Sequence, residues 1–279
     1  MHNIVIKSNK YKSPDLEVLA FNLSIERLVD IGYPDDIKKF KYDPIFPVRG
    51  LWFDYTYGNL LKVDGFGNIL VGMHGFKFLK VSEIEEMYPN KYLQLSESRV
   101  FVLNTLFNLP ETHLLSYLID FFDNHPKYTQ LEDKTGVRGG DVLMSYKSIF
   151  HDIRSVVDWV HIEGDMKETI MQNLEKYVVR DDRASSLLRL LRECGRQTFL
   201  LTNSDYRYTD ASLAIQYTIL IYTILDVDTM TGAHKLGIHT GPLKEGVVYS
   251  GVLSTAYTFA SYITKICWFR LLRRIPQDC

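Results

Sequence analysis

The run Phe199-Leu200-Leu201-Thr202-Asn203-Ser204 constrains this chain most, because an apolar segment that breaks abruptly into hydroxyl and amide side chains fits one setting well. That setting is a buried strand of an α/β sheet, whose carboxyl end offers polar side chains and the N–H groups of a following helix to an anion. Thr202, Asn203 and Ser204 are therefore candidate phosphate contacts. The same residues also suit a plain strand followed by a helix cap.

Helices and strands alternate along the rest of the chain. Leu16, Leu19, Ala20, Leu23, Ile25, Leu28 and Val29 recur at helical spacing, and Gly32 and Pro34 close that helix. From Gly50 to Phe78 apolar residues cluster between glycines, which predicts a β-hairpin. Further helices are expected over 111–124, 141–160, 167–178 and 184–193, with Gly136, Gly139 and Gly140 in a loop. The net charge of −2 gives no extended basic field and disfavours nucleic acid as a partner. Cys194, Cys267 and Cys279 are widely spaced and form no CxxC motif, which points to a reducing compartment, the cytosol. Residues 246–264 carry no charge, yet their Ser, Thr, Tyr and Gly content disfavours a membrane anchor.

The helix expected before the phosphate-type strand carries a second constellation. Arg154, Asp158 and His161 are spaced by four and three residues and so share one face. A guanidinium can bond a nucleobase or ribose acceptor, and a carboxylate can accept from a base N–H or a ribose hydroxyl. A surface ion pair between Arg154 and Asp158 is the plainer alternative. Lys167 opens the next helix, where a cation can meet a phosphate or simply solvate a turn.

Taken in order, these segments resemble the cytosolic purine 5′-nucleotidases of the haloacid-dehalogenase superfamily. The resemblance runs from about Tyr11 to Asp210 through Tyr11-Lys12-Ser13-Pro14, Ile31-Gly32-Tyr33-Pro34, Gly58-Asn59-Leu60-Leu61-Lys62-Val63-Asp64, Leu103-Asn104-Thr105-Leu106-Phe107-Asn108-Leu109-Pro110-Glu111-Thr112 and Thr202-Asn203-Ser204-Asp205-Tyr206. It resumes from about Val227 to Gly251. It implies an α/β fold with a haloacid-dehalogenase-like Rossmannoid core, incomplete here, and a mixed α/β cap. Residues 11–165 would be mostly cap with flanking core elements, 166–251 a partial core, and 252–279 a divergent tail.

The implied activity is Mg²⁺-dependent hydrolysis of purine nucleoside monophosphates such as IMP and GMP through a phospho-aspartate, with phosphate transfer to nucleosides as a side activity. Thr202, Asn203 and Ser204 match the phosphate-holding motif. Arg154, Asp158, His161 and Lys167 match substrate contacts, Phe107 an aromatic against the purine, and Asn104 part of a nucleotide effector site. The family's oligomeric habit implies homo-oligomers or mixed assembly with full-length subunits.

One departure bears on chemistry. The family carries D-x-D-x-T directly before the Tyr-Lys-Ser-Pro segment, whereas residues 1–10 here contain no carboxylate. Nucleophile and general acid are both missing from that position, so the expectation is an inactive or severely impaired chain, with a non-catalytic nucleotide-binding or subunit-interaction protein as the alternative. The Mg²⁺ ligands are correspondingly unassigned. Phe53-Asp54-Tyr55-Thr56 imitates half of the motif, but Trp52 stands at the nucleophile position. The run Ile219–Leu225 before Asp226-Val227-Asp228 reads as a buried segment ending in an acidic turn, and it or Ile4–Ile6 is the candidate to replace a lost core strand.

Overall fold

The computed structural model describes residues 11–96, 98–194, 200–201, 207–208, 211, 224–226 and 249–250. The chain is mixed α/β and divides into two units, Lys12–Ile170 and Met1–Tyr11 with Met171–Cys279.

In the first unit, α1 (Asp15–Asp30), α3 (Asn108–Asn124) and α4 (Tyr146–Ile162) pack on one another. They accompany an antiparallel sheet of β1 (Leu51–Asp54), β2 (Asn59–Val63), β3 (Ile69–His74), β4 (Lys77–Phe78) and β5 (Val100–Leu103), in the order β4-β3-β2-β1-β5. The expected hairpin over 50–78 is thus four strands of a larger sheet, closed by a fifth strand from further along the chain.

Alternation along β1 sends neighbouring side chains to opposite faces. Phe53 stacks on Phe150 of α4 with ring centroids 5.3 Å apart. Trp52 joins Leu61, Ile69, Ile84, Tyr88, Leu93 and Val100 in a separate cluster that includes Ile84 of α2 (Val81–Met87). Gly58, in the turn between β1 and β2, is required twice over. Its φ is +65°, and a Cβ there would lie 2.6 Å from Cγ of buried Tyr146.

Two element boundaries differ from the sequence expectation for local reasons. α3 begins at Asn108, three residues earlier than expected, because Pro110 falls in the first turn, where its missing N–H costs no helical bond. Residues 141–145 are not helical. β6 (Thr129–Gln130), β7 (Gly136–Gly139) and β8 (Val142–Ser145) form a small antiparallel sheet, and the Ser145 side chain then caps α4 by accepting from the Ser148 N–H at 3.0 Å. Gly136 is a strand residue, not a loop one. A Cβ there would lie 2.2 Å from the Met144 carbonyl oxygen on the paired strand.

α3 buries a histidine among aromatic rings. His113 packs against Phe21, Tyr42, Phe46, Phe76 and Tyr117, and its Nδ1 accepts from the Asp43 N–H at 3.2 Å. Burial pushes its pKa down from 6.5 to about 4, so the folded chain holds the neutral ring. A proton on Nδ1 would also abolish the bond from Asp43. The stabilising contribution is complete above the ordinary value and is lost as the pH falls from about 6.5 toward about 4. Urea midpoints measured across this window should fall with acidification, and His113→Phe should flatten that fall. An equally steep profile in the variant would contradict the assignment.

α5 (Met166–Gln172) and α6 (Leu174–Tyr177) break at Asn173 where one helix was expected, and α7 spans Asp182–Glu193. In the second unit Tyr11 bridges to Val178, and the Tyr11 and Tyr208 hydroxyls lie 3.0 Å apart. β9 (Leu200–Leu201), β10 (Ile224–Asp226) and β11 (Tyr249–Ser250) form a parallel sheet with β10 in the middle. The end of the apolar run considered as a replacement strand is therefore the central strand, with Asp226 as its last residue. Ile4–Ile6 and Asp228 lie outside the described residues.

Candidate functional site

Arg154, Asp158 and His161 occupy the second half of α4, facing the start of α3. Arg154 donates to Glu111 Oε2 at 2.9 Å and to Asp158 Oδ1 at 2.7 Å, and its guanidinium carbon sits 5.4 Å from the Phe101 ring centre. The structure shows the plainer reading of that spacing. The i,i+4 ion pair exists, and the same guanidinium is anchored to a fully buried carboxylate.

Glu111 is the residue that sequence reasoning missed. It is 0% exposed, and its Oε2 also accepts from Asn108 Nδ2 at 2.7 Å. Thr105 fixes Asn108 in turn, donating through its N–H and hydroxyl to Asn108 Oδ1 at 3.1 and 2.7 Å. Burial raises the Glu111 pKa, against the opposing pull of Arg154 and Asn108. The signal was present, since Glu111 lies inside the Leu103–Thr112 segment that carries the family resemblance. Periodicity alone could not pair it with a residue 43 positions away.

His161 donates from Nδ1 to the Val157 carbonyl at 2.7 Å, which leaves Nε2 as its acceptor. Burial pushes its pKa below the ordinary value, with Arg154 and Lys167 acting in the same direction and the Val157 bond and Asp158 opposing. The ring is therefore neutral around pH 7. Phe107, immediately before α3 and 49% exposed, meets it edge-on with centroids 6.2 Å apart. Lys167 is the second residue of α5, and Asn104 lies exposed just after β5. The structure thus groups Phe107, Arg154, Asp158 and His161. Thr202, Asn203 and Ser204 lie outside the described residues.

Asp54, the carboxylate of the look-alike motif, has no capacity left for chemistry. It is 0% exposed and accepts from Tyr88 Oη at 2.8 Å, Arg99 Nε at 3.1 Å and the Thr56 N–H at 3.0 Å. Among the described residues no group of three or more His, Cys, Asp or Glu side chains could hold a metal ion. Among them, too, no helix is long and apolar enough to cross a membrane.

The model of the 5′-nucleotidase family matches residues 9–220. The chain belongs to this family. The 5′-nucleotidase domain-containing protein 2 of Rattus norvegicus is 30% identical over 211 residues, covering 72% of this chain and 35% of that protein. The Homo sapiens protein of the same name is 29% identical over 211 residues, 72% of this chain and 37% of its own length. A 5′-nucleotidase domain-containing protein of Dictyostelium discoideum is 29% identical over 197 residues, 69% of this chain and 31% of its own. The chain spans about a third of the length of these curated relatives.

Proposed function

We propose that this chain recognises a purine nucleoside 5′-monophosphate of the IMP or GMP type and does not hydrolyse it by the family's phospho-aspartate route. The observation that carries this reading is the half-exposed Phe107 ring edge-on to His161, on the helix whose Arg154 guanidinium is anchored by buried Glu111. An aromatic face and a fixed planar donor suit a flat heterocycle with acceptor edges.

In this reading Phe107 packs against the purine, and the remaining N–H groups of Arg154 donate to base or ribose acceptors. Asp158, with its side chain 57% exposed, accepts from a base N–H or a ribose hydroxyl, and His161 Nε2 offers a neutral acceptor. Lys167 supplies positive charge for the phosphate. Thr202-Asn203-Ser204 separately matches, in the sequence alone, a phosphate-holding motif. Mg²⁺ would neutralise phosphate charge when bound. The described residues do not assemble a set of ligands for it, and no step here depends on it. The spacing of Cys194, Cys267 and Cys279 supports placement in the cytosol.

Hydrolysis by this route needs a carboxylate nucleophile and a carboxylic acid two residues on. Residues 1–10 provide neither. The test is inorganic phosphate release from IMP and GMP with Mg²⁺ present, and the expected result is no release above buffer. Release abolished by Asp228→Asn would overturn the non-hydrolytic part and make Asp226-Val227-Asp228 a replacement motif.

A further inference from the structure

A guanidinium and a buried carboxylate bond most strongly as a fork, two N–H groups to two oxygens. Arg154 does not bind Glu111 that way. It gives one N–H to Glu111 Oε2 and another to Asp158. Asn108 Nδ2 donates to the same Oε2 at 2.7 Å, while Glu111 Oε1, also buried, has no hydrogen-bond partner among the described residues. An orphaned buried oxygen costs stability, so this arrangement favours one direction of the guanidinium over the strongest ion pair.

The opposite end of the Asn108 amide holds the turn that carries Phe107. The Asn108 N–H donates to the Thr105 carbonyl at 3.2 Å, and Thr105 returns its N–H and its hydroxyl to Asn108 Oδ1 at 3.1 and 2.7 Å. Three bonds thus close the chain around Leu106 and Phe107. From within α3, Thr112 Oγ1 donates to the Asn108 carbonyl at 2.7 Å. The amide has one orientation only, because the Thr105 N–H can only donate; Oδ1 must face it, and Nδ2 is left for Glu111. Asn108 is 8% exposed, so water does not compete freely for either end.

We propose that Asn108 is a positioning residue for nucleobase recognition. Through the two ends of one planar amide it holds the turn bearing the Phe107 ring in register with the carboxylate that aims Arg154. The proposal rests on the nucleotide-recognition reading and adds to it a residue that touches no ligand. His161, on the same face of α4 as Arg154, meets the Phe107 ring edge-on and bounds it from the other side. A base stacked on Phe107 brings its polar edge to Arg154 only while that spacing is kept. Without Asn108 both groups remain but lose their register, and the ligand that depends on both loses most.

Asn108→Ala tests this in calorimetric titrations of the whole chain with GMP and with UMP, whose smaller ring overlaps Phe107 less. The preference for GMP over UMP is expected to fall by about fivefold, the worth of one hydrogen bond. Loss of folded protein alone would weaken both ligands by the same factor and leave the preference unchanged. In a Phe107→Ala background, Asn108→Ala should cost far less GMP affinity, since the ring it positions is gone. Should Asn108→Ala fail to fold, Thr105→Val at an exposed position removes only the hydroxyl bond and should lower the same preference by about twofold. An unchanged preference in the variant that folds, or equal costs of Asn108→Ala with and without Phe107, would overturn the positioning role and leave GMP binding standing. Absence of GMP binding by the wild type would overturn both.

Discussion

Asp54→Ala is expected to destabilise the first unit by about 4 kcal/mol, the usual cost of removing one partner from a buried charge network. Asp54 is 0% exposed and is the common acceptor for Tyr88, Arg99 and the Thr56 N–H. Arg99, with its side chain 37% exposed, can turn to water, but Tyr88 at 1% exposure cannot. The buried hydroxyl would lose its acceptor, and the amide of Asn59 would lose its fixed partner in turn. For a unit of this size the loss corresponds to roughly 10 °C in the melting midpoint, readable by calorimetry. Tyr88→Phe should cost less, because Asp54 keeps Arg99 and the Thr56 N–H and only the neutral Asn59 amide loses its acceptor. Asp54→Ala within about 1 kcal/mol of wild type would show that the network is not the brace described here.

Arg154→Met is the second large effect, at about 3 kcal/mol, because it strips the counter-ion from Glu111 while keeping most of the side-chain volume. Asn108 alone would then hold a fully buried carboxylate. Burial already raises the Glu111 pKa, and losing Arg154 removes the main opposing influence. With the folded-state value above the unfolded one, the variant should be most stable in acid, where Glu111 is protonated. It should lose stability as the pH rises through the folded value. Glu111→Gln in the same background should restore much of the loss near neutral pH. A double variant no more stable than Arg154→Met would refute the buried-charge explanation.

The sequence was legible where structure is local. α1 begins at Asp15, just before the first of the apolar positions that recur every three or four residues, and Gly32 follows its end. The glycine-bounded apolar run of β1 to β4 was recognised as strand, yet its fifth partner, β5, was not. Val100–Leu103 is an ordinary apolar stretch, and only its pairing with Leu51–Asp54 makes it an interior element of the sheet. The β7–β8 hairpin reads as loop and helix in the sequence because its glycines suggest turns, whereas Gly136 serves close strand approach.

The candidate site shows the same division. Arg154, Asp158 and His161 were legible as a helix face because their spacing encodes it. Phe107 enters only through family resemblance and Lys167 first as a cation opening a helix, while the role of Glu111 depends on the contact between α3 and α4. Asp54 illustrates the reverse hazard. Its local wording imitates a catalytic motif, while its surroundings make it a buried acceptor.

Calorimetric titration of the purified chain with GMP, repeated with Phe107→Ala, tests nucleotide recognition most directly. The account predicts saturable binding of GMP, weaker binding of a pyrimidine monophosphate, and a loss of about tenfold in GMP affinity on removing the Phe107 ring. Unchanged affinity in Phe107→Ala, or no heat of binding with the wild-type chain, would contradict the account.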